Sequence, residues 1–174
     1  MNSPRLYHRI WLIVRLDGYC ACSPQTIFII QVSAIPRSCD IRPTRAAYSR
    51  NITFKDRGYI TFYHSCGSIV PVIDDFIELG LDILEPIQVS AAGMDPTALA
   101  DRFGSRISFH GGIDEQEVLP HGTPGEVYAN TISMIDQLGK YNGYIVAPCH
   151  QAQNDSPPEN IVAVFDAVRD YPNR

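Results

Sequence analysis

The sequence places a histidine and a cysteine two residues apart in FYHSCGSI, residues 62–69, where an apolar, β-branched run ends before a glycine. Imidazole nitrogen and thiolate sulfur are the donors that zinc binds most often in proteins. His64 and Cys66 are therefore candidate metal ligands, and side chains two apart on a strand point the same way. Taken alone the motif is a weak signal, because such a pair is more often a hydrogen-bonded structural histidine beside a small buried thiol than a metal site.

A second pair of soft donors, Cys149 and His150, ends a later apolar run, GYIVAPCH. If both runs are strands of one closed barrel, the later strand lies across the site from the earlier one, and the two pairs converge on one ion. A zinc ion held by His64, Cys66 and one further protein ligand keeps an open position for a substrate. The residues leave open whether Cys149 or His150 is that third ligand.

Two further polar residues, Gln88 and Asp114, also follow apolar runs and are candidate catalytic residues. Gln88, in EPIQ, offers amide donors and acceptors to a polar ligand, whereas Glu85 in the same stretch is interpreted as a helix-facing or inter-strand partner. Asp114, in HGGID, follows two glycines that let a substrate approach the backbone closely. A tight turn with a solvated aspartate explains HGGID equally well.

These candidates follow the strands of four successive strand–helix units, which the sequence predicts from residue 58 onward. Strands that are apolar on both faces and alternate with amphipathic helices predict an α/β fold with a parallel sheet covered by helices. In such folds the site lies at the carboxyl ends of the strands. The predicted strands are YITFYHSC, DILEPIQV, RISFHGGI and GYIVAPCH, and the predicted helix starts are Asp95 and the capping boxes Thr123–Glu126 and Ser156–Glu159.

The first 50 residues differ from the rest of the chain in charge and pattern. Seven arginines and two aspartates give this segment a net charge of +5, so the other residues carry −10. It contains a candidate strand at residues 26–32 but no strand–helix rhythm. Because an eight-unit barrel typically needs about 250 residues, the four units amount to about half of one.

The overall composition argues against several classes of protein. A net charge of −5 and a pI near 5.4 argue against nucleic-acid binding, which normally needs a basic surface. The apolar runs IWLIV and TIFII are much shorter than the roughly 20 residues of a membrane span. Five cysteines, an odd number without framework spacing, favour reduced thiols and a cytoplasmic location.

Three longer stretches carry a resemblance to a known family: FYHSCGSIVPVIDDFIELGLDILEPIQVSAAGMDP, RISFHGGIDEQEVLPHGTPGEV and NGYIVAPCHQAQNDSPPENIVAVFDAV. In this order, over residues 46–172, they resemble the C-terminal half of the uroporphyrinogen decarboxylase domain family. That family also contains the methylcobamide:coenzyme M methyltransferases and other corrinoid-dependent methyltransferases. The resemblance implies a (β/α)8 TIM barrel of which only the last four units are evident. Residues 46–174 are then this half-barrel, and residues 1–45 a basic segment unlike the family.

The resemblance favours the methyltransferase branch, in which a zinc ion held by H-x-C and a later cysteine activates the acceptor thiol. His64 and Cys66 match the first two ligands, and His150 falls where the branch has its later cysteine, although by chemistry Cys149 could also ligate. The implied function is zinc-dependent methyl transfer between a corrinoid, carried by a partner protein, and a thiol or other small-molecule acceptor.

Two alternatives stand beside this function. The first is decarboxylation of uroporphyrinogen or another tetrapyrrole in porphyrin biosynthesis, which in this family uses basic residues and an aspartate without a metal. Its N-terminal motif of arginines and aspartate has no convincing copy in residues 1–50. The second is an inactive, incomplete chain. A half-barrel would have open edge strands and an exposed apolar inner face, which predict homodimerisation.

Overall fold

A parallel β-sheet of six strands organises the chain in the computed structural model, which describes residues 10–12, 28–30, 60–141 and 143–171. Across the sheet the strands follow the order first, sixth, fifth, fourth, third, second in chain numbering, and every neighbouring pair is parallel. They are β1 (Ile10–Leu12), β2 (Phe28–Ile30), β3 (Thr61–His64), β4 (Ile83–Ile87), β5 (Ser108–Ile113) and β6 (Tyr144–Pro148).

Among the described residues, helices connect β3 to β6 in sequence and follow β6, so the predicted α/β architecture is confirmed. The four-residue helix after β5 was not expected from the sequence. None of these helices is long and apolar enough to cross a membrane. They are α1 (Val70–Glu78), α2 (Pro96–Phe103), α3 (Val118–His121), α4 (Pro124–Leu138) and α5 (Pro158–Asp170).

Two of the three predicted helix starts are confirmed. The Asp95 side chain accepts a hydrogen bond from the amide of Ala98 at 2.8 Å and caps α2. At α4 the hydroxyl of Thr123 accepts from the amide of Glu126, whose carboxylate accepts in turn from the amide of Thr123. Reciprocal bonds of this kind satisfy two of the amides that a helix start otherwise leaves without partners.

The third predicted start, a capping box of Ser156 and Glu159, is wrong. Helix α5 begins one residue later than expected, with Pro157 as its N-cap and Pro158 as its first residue. A residue before proline is pushed out of the helical region, which holds Pro157 extended. Ser156 therefore lies before the cap, where its hydroxyl has no hydrogen-bond partner.

The core lies on both faces of the sheet, because neighbouring residues on a strand point to opposite sides. On the helix-covered face, residues such as Leu84 and Val146 belong to the main core. On the opposite face Phe62, Ile83 and Ile145 form a second, smaller apolar cluster. The side chains that continue this second face toward the carboxyl ends of the strands build the site described below.

The N-terminal strands cover the two edges that the four predicted units would leave open. Strand β1 pairs with β6, with Ile10 opposite Tyr144, and β2 pairs with β3, with Phe28 opposite Thr61. Among the described residues, the edge strands of the sheet are therefore β1 and β2 rather than β3 and β6. Strand β2 falls inside the candidate strand at residues 26–32, and most of the 1–45 segment lies outside the described residues. Both the boundary at residue 45 and the homodimer stay predictions.

Candidate metal centre

The carboxyl ends of the strands surround an open cleft of about 410 Å³. Parallel strands all end at one edge of the sheet, so residues distant in sequence meet there. Of the predicted site residues, four line this cleft: Cys66 after β3, Gln88 after β4, and Cys149 and His150 after β6. The other described residues of the lining are Glu115, Gln116, Gln153 and Asp155.

His64 and Cys66 lie in contact, although not for the reason that the sequence suggested. Strand β3 ends at His64, so Cys66 belongs to the following turn and strand alternation does not align the two side chains. The turn instead brings Sγ of Cys66 to 3.3 Å from Nε2 of His64. Two ligands of one tetrahedral zinc ion, with bonds of about 2.3 Å to sulfur and about 2.0 Å to nitrogen, lie roughly 3.5 Å apart. The pair is spaced like two ligands of one ion.

Glu85 holds the other side of the His64 ring. Its Oε2 lies 3.1 Å from Nδ1 of His64, and its Oε1 lies 3.6 Å from Nδ1 of His110 on β5. Of the two readings of Glu85 from sequence, the inter-strand partner is correct. The signal that could have placed it at the site is its spacing. It is two residues after Ile83, so it shares the face of β4 that continues toward the cleft.

Gln88 fixes the turn that carries Cys66. Its side-chain oxygen accepts a hydrogen bond of 2.8 Å from the amide of Gly67, 21 residues earlier in the chain. Gly67 adopts a positive φ of 88°, a conformation that glycine reaches without strain. The end of β4 therefore positions the turn after β3, and with it the Cys66 thiol.

The second predicted donor pair is split between two environments. Cys149 is buried and its thiol donates to the carbonyl of Ile87 at 3.0 Å, whereas His150 is exposed beside the cleft. Burial raises the pKa of the Cys149 thiol to about 12, only partly offset by backbone hydrogen bonds from Gly112 and Val89. At neutral pH this sulfur is a thiol engaged with the backbone, and His150 is the more accessible donor.

Asp114 is not among the cleft-lining residues. Its side chain is buried, and one carboxylate oxygen accepts from the amides of Gln116 and Glu117 at 2.7 and 3.0 Å. Its carbonyl also accepts from the amide of Leu119. These contacts are those of a turn-forming aspartate that leads into α3. A catalytic role for Asp114 stays a prediction without a geometric argument.

The two glycines of HGGID serve internal packing rather than substrate approach. Gly111 has a φ of 108°, and a Cβ there would lie 3.0 Å from the amide nitrogen of Ile87 on β4. Gly112 has a φ of 92°, and a Cβ there would lie 2.7 Å from the hydroxyl of Tyr144. Atoms of neighbouring elements already occupy the space beside both glycines. The expectation that a substrate approaches the backbone at these glycines is therefore not supported by the structure.

A comparison with protein families matches residues 43–171 to the family described as Uroporphyrinogen decarboxylase (URO-D). The matched segment covers well over half of the chain. The chain belongs to the URO-D family. Its parallel strand–helix units are accordingly part of a (β/α)8 TIM barrel, as the resemblance implied.

Among the solved structures that resemble this URO-D chain is a methyltransferase from Methanosarcina mazei. The two share 18% sequence identity and superpose with a TM-score of 0.56, over 72% of this chain and 35% of that one. Identity at this level establishes a shared fold. The chain spans about a third of the length of that methyltransferase. The comparison with curated proteins finds no match.

The cleft of this URO-D-family chain is acidic. Glu115 and Asp155 contribute carboxylates, and the described residues of the lining include no lysine or arginine. Partial burial, followed by the negative charges of Glu115 and Glu85, raises the pKa of the Cys66 thiol above its ordinary value. These carboxylates therefore favour the protonated form of the Cys66 thiol, and the potential of the cleft favours cations over anions.

The described residues fit a zinc ion in part. His64 and Cys66 have the right donor types and spacing for two ligands. Within residues 60–141 and 143–171, however, no group of three or more histidine, cysteine, aspartate or glutamate side chains is arranged to hold a metal. A third ligand would have to come from a rearrangement of Cys149 or His150.

Sequence reasoning missed four of the cleft residues: Glu115, Gln116, Gln153 and Asp155. The signal that could have identified them is position, because each lies in the connection that follows the carboxyl end of β5 or β6. In a parallel sheet that placement marks a residue as a candidate for the site regardless of its type.

Proposed function

We propose that this chain provides the zinc-binding half of a methyltransferase of the URO-D family, which moves a methyl group between a corrinoid on a partner protein and a thiol or other small acceptor. One observation carries the proposal: Sγ of Cys66 lies 3.3 Å from Nε2 of His64 at the mouth of the cleft. The fold shared with a methyltransferase from Methanosarcina mazei is consistent with it.

In this proposal His64 and Cys66 hold the metal, and the cleft beside them holds the acceptor. A bound zinc ion would lower the pKa of a coordinated thiol, so that a thiolate nucleophile exists at neutral pH. Gln88 keeps the Cys66 turn in place through the amide of Gly67. Because the side-chain oxygen of Gln88 is engaged in this way, its side-chain nitrogen is the group that would donate a hydrogen bond to the methyl-accepting substrate.

We assign the third ligand to His150 rather than Cys149. His150 is exposed beside the cleft, so its ring can turn toward the metal without disturbing the core. Cys149 would have to release the carbonyl of Ile87 and lose its proton from a site where burial raises its pKa to about 12. Coordination by Cys149 therefore requires a larger rearrangement.

The charge of the cleft favours methyl transfer over decarboxylation of a tetrapyrrole. A substrate with many carboxylates needs positive partners, and the described lining offers two carboxylates and no lysine or arginine. Tetrapyrrole binding by metal-free protein would reverse this preference. The measurement is a titration of the purified chain with uroporphyrin, a stable oxidised form of the substrate, followed by absorbance.

The decisive experiment measures zinc in the purified chain and in the His64→Ala and Cys66→Ala variants. We expect stoichiometric zinc in the parent chain and its loss in both variants, because two ligands of a single site act together. Replacement of zinc by Co²⁺ adds a second measurement, since a sulfur ligand produces a charge-transfer band that Cys66→Ala must remove. A parent chain that is folded but binds neither ion would overturn the proposal.

Two matched pairs of variants test whether zinc binding is specific to the proposed ligands. His121→Ala removes an exposed histidine at the end of α3 and should leave zinc binding unchanged, in contrast to His64→Ala. His150→Ala should weaken zinc binding more than Cys149→Ala if the assignment of the third ligand is right. The opposite order would assign the third ligand to Cys149.

The partners are part of the proposal as well. We propose a corrinoid-carrying protein as the methyl donor or acceptor, and a homodimer as the state of the chain in solution. Light scattering coupled to size exclusion measures the second directly. A folded monomer that binds zinc would contradict the homodimer alone, whereas a chain soluble only as a heterogeneous oligomer without zinc would support the alternative of an inactive, incomplete chain.

A further inference from the structure

We infer that Glu85 is a positioning residue of the zinc site, which fixes the tautomer and orientation of His64 through a carboxylate shared with His110. The inference rests on the proposed function where it concerns zinc. The arrangement itself involves only side chains of this chain: Nδ1 of His64 lies 3.1 Å from one carboxylate oxygen of Glu85, and Nδ1 of His110 lies 3.6 Å from the other.

The register of the sheet explains how these three side chains meet. His64 and Glu85 are direct partners in the parallel pairing of β3 with β4. His110 lies on β5, the strand on the other side of β4. Glu85 is therefore the middle residue of a row that crosses three adjacent strands, and each histidine approaches it from a different neighbour.

The row is well enclosed, which limits how its members can move. Side-chain exposure is 16% for Glu85, 11% for His110 and 32% for His64. The ring of His110 also packs edge-on against Phe62, with centroids 5.2 Å apart and planes at 78°. A carboxylate shielded from bulk water needs hydrogen-bond donors that face it. Nδ1 of His64 is within hydrogen-bond distance of Glu85 at 3.1 Å, whereas Nδ1 of His110 faces the other carboxylate oxygen at 3.6 Å, an ion-pair distance. Glu85 is therefore held chiefly by its hydrogen bond with His64.

This contact decides which nitrogen of His64 is available as a ligand. An ionised carboxylate only accepts hydrogen bonds, so Nδ1 of His64 must carry the proton. The lone pair is then on Nε2, the atom that lies 3.3 Å from the Cys66 sulfur. Metal-binding histidines commonly have their second nitrogen bonded to a carboxylate in this way, which orients the ring and increases its basicity.

A purely structural ion pair would have a different consequence. If Glu85 served stability alone, its removal would lower the melting temperature but leave the protonated nitrogen of His64 unchanged. If it positions His64, its removal must redistribute the proton between Nδ1 and Nε2, because nothing then favours one tautomer through this contact. The tautomer of His64 in the metal-free chain is therefore the measurement that separates the two roles.

The experiment compares the parent chain with Glu85→Gln, Glu85→Ala and the control Glu115→Gln. The control removes one negative charge from the same cleft but leaves the contact with His64 intact. Long-range ¹H–¹⁵N correlation spectra of EDTA-treated protein report the tautomer, with the His64 signals identified by their loss in His64→Asn. Competition with a chromophoric chelator then measures zinc affinity.

We expect the Nδ1–H tautomer in the parent chain and in Glu115→Gln, and a mixture containing Nε2–H in Glu85→Ala. Zinc affinity should fall about 10- to 100-fold in Glu85→Ala, the usual effect of removing such a partner. It should fall less in Glu85→Gln, whose amide oxygen can still accept from one histidine. The control should change affinity by less than about fivefold, as expected of one partly exposed charge.

Persistence of the pure Nδ1–H tautomer in Glu85→Ala would overturn the inference, as would an equal loss of affinity in Glu115→Gln. If Glu85→Ala fails to fold, Glu85→Leu, which keeps apolar bulk at this position but has no acceptor oxygen, decides the matter through the same spectra. A parent chain that binds no zinc overturns the proposed function, while the tautomer measurement on the metal-free chain still decides the role of Glu85.

Discussion

The side-chain oxygen of Gln88 lies 2.8 Å from the amide nitrogen of Gly67, and this hydrogen bond ties the end of β4 to the turn that carries Cys66. Two strands therefore cooperate to place one thiol at the mouth of the cleft. The acceptor is the side chain of Gln88, so a single substitution at this residue can test the contact.

Replacement of Gln88 by leucine should loosen this turn. The amide of Gly67 loses its acceptor, and because water in the open cleft can replace it in part, we expect a loss of about 1 kcal/mol in the free energy of unfolding. Hydrogen exchange at Gly67 should become faster, which mass spectrometry or NMR can measure. Gln116→Leu, an exposed glutamine in the same cleft, is the control and should leave both quantities nearly unchanged. Unaltered exchange in Gln88→Leu would contradict the positioning role.

Asn160 should be important for stability although it lies outside the site. This buried residue of α5 donates to the carbonyls of Leu119 and Gly122, at 2.7 Å each, and so holds the end of α3. Asn160→Ala leaves two carbonyls without a donor and should cost about 2 kcal/mol or more in urea unfolding.

Asn160→Asp is the sharper test of the same contact. A carboxylate facing two carbonyl oxygens is repelled, so this variant should be less stable than Asn160→Ala at pH 7 and should recover stability as the pH falls and the new carboxyl group protonates. An Asn154→Ala control, in the exposed loop before α5, should unfold like the parent chain. Equal stability of the two Asn160 variants at all pH values would argue against the donor role.

Gly112 and Gly125 form a matched pair for alanine substitution. At Gly112 the φ of 92° disfavours any side chain, and a Cβ would lie 2.7 Å from the Tyr144 hydroxyl and 3.0 Å from Cδ1 of Leu138. We expect Gly112→Ala to cost about 2 kcal/mol or more. At Gly125, in the first turn of α4, a Cβ meets nothing within 4 Å, so Gly125→Ala should be neutral or gain a few tenths of a kcal/mol. Thermal unfolding of both variants compares them directly.

The buried thiol of Cys149 should make stability depend on alkaline pH. Burial raises its pKa from 9.0 to about 12, so the folded chain holds this proton more tightly than the unfolded chain does. The corresponding stabilisation is complete below about pH 9 and is lost as the pH rises toward 12. The stability advantage of the parent chain over Cys149→Ala should therefore shrink between pH 9 and pH 11 in urea unfolding.

Cys66→Ala is the control for this pH dependence. Cys66 is exposed and its pKa is also raised, by partial burial and then by the charges of Glu115 and Glu85, but without the near-complete enclosure of Cys149. The difference between the parent chain and Cys66→Ala should change less over the same pH range. A pH-independent difference for Cys149→Ala would mean that its thiol is not buried as described.

The strand–helix units could be predicted from the sequence because their signals are local. The capping box of Thr123 and Glu126 and the aspartate cap at Asp95 act within four residues, and the structure contains both. The same local reasoning failed at Ser156, where two consecutive prolines moved the helix start by one residue. It also misjudged Cys66, because the strand ends at His64 and the turn, not strand alternation, sets the thiol position.

The sequence by itself determined the α/β fold and the edge of the sheet where the site forms, since hydrophobic periodicity and helix caps depend on neighbouring residues. Only the tertiary structure decided that Glu85 lies between His64 and His110, that Gln88 holds the Cys66 turn, and that the Cys149 thiol bonds to Ile87. These contacts join residues 21 to 62 positions apart. Their geometry depends on strand register, which shifts within the β4–β5 pairing between Leu84 and Ile87. It also depends on backbone carbonyls that bind side-chain donors, as the Ile87 carbonyl binds the Cys149 thiol.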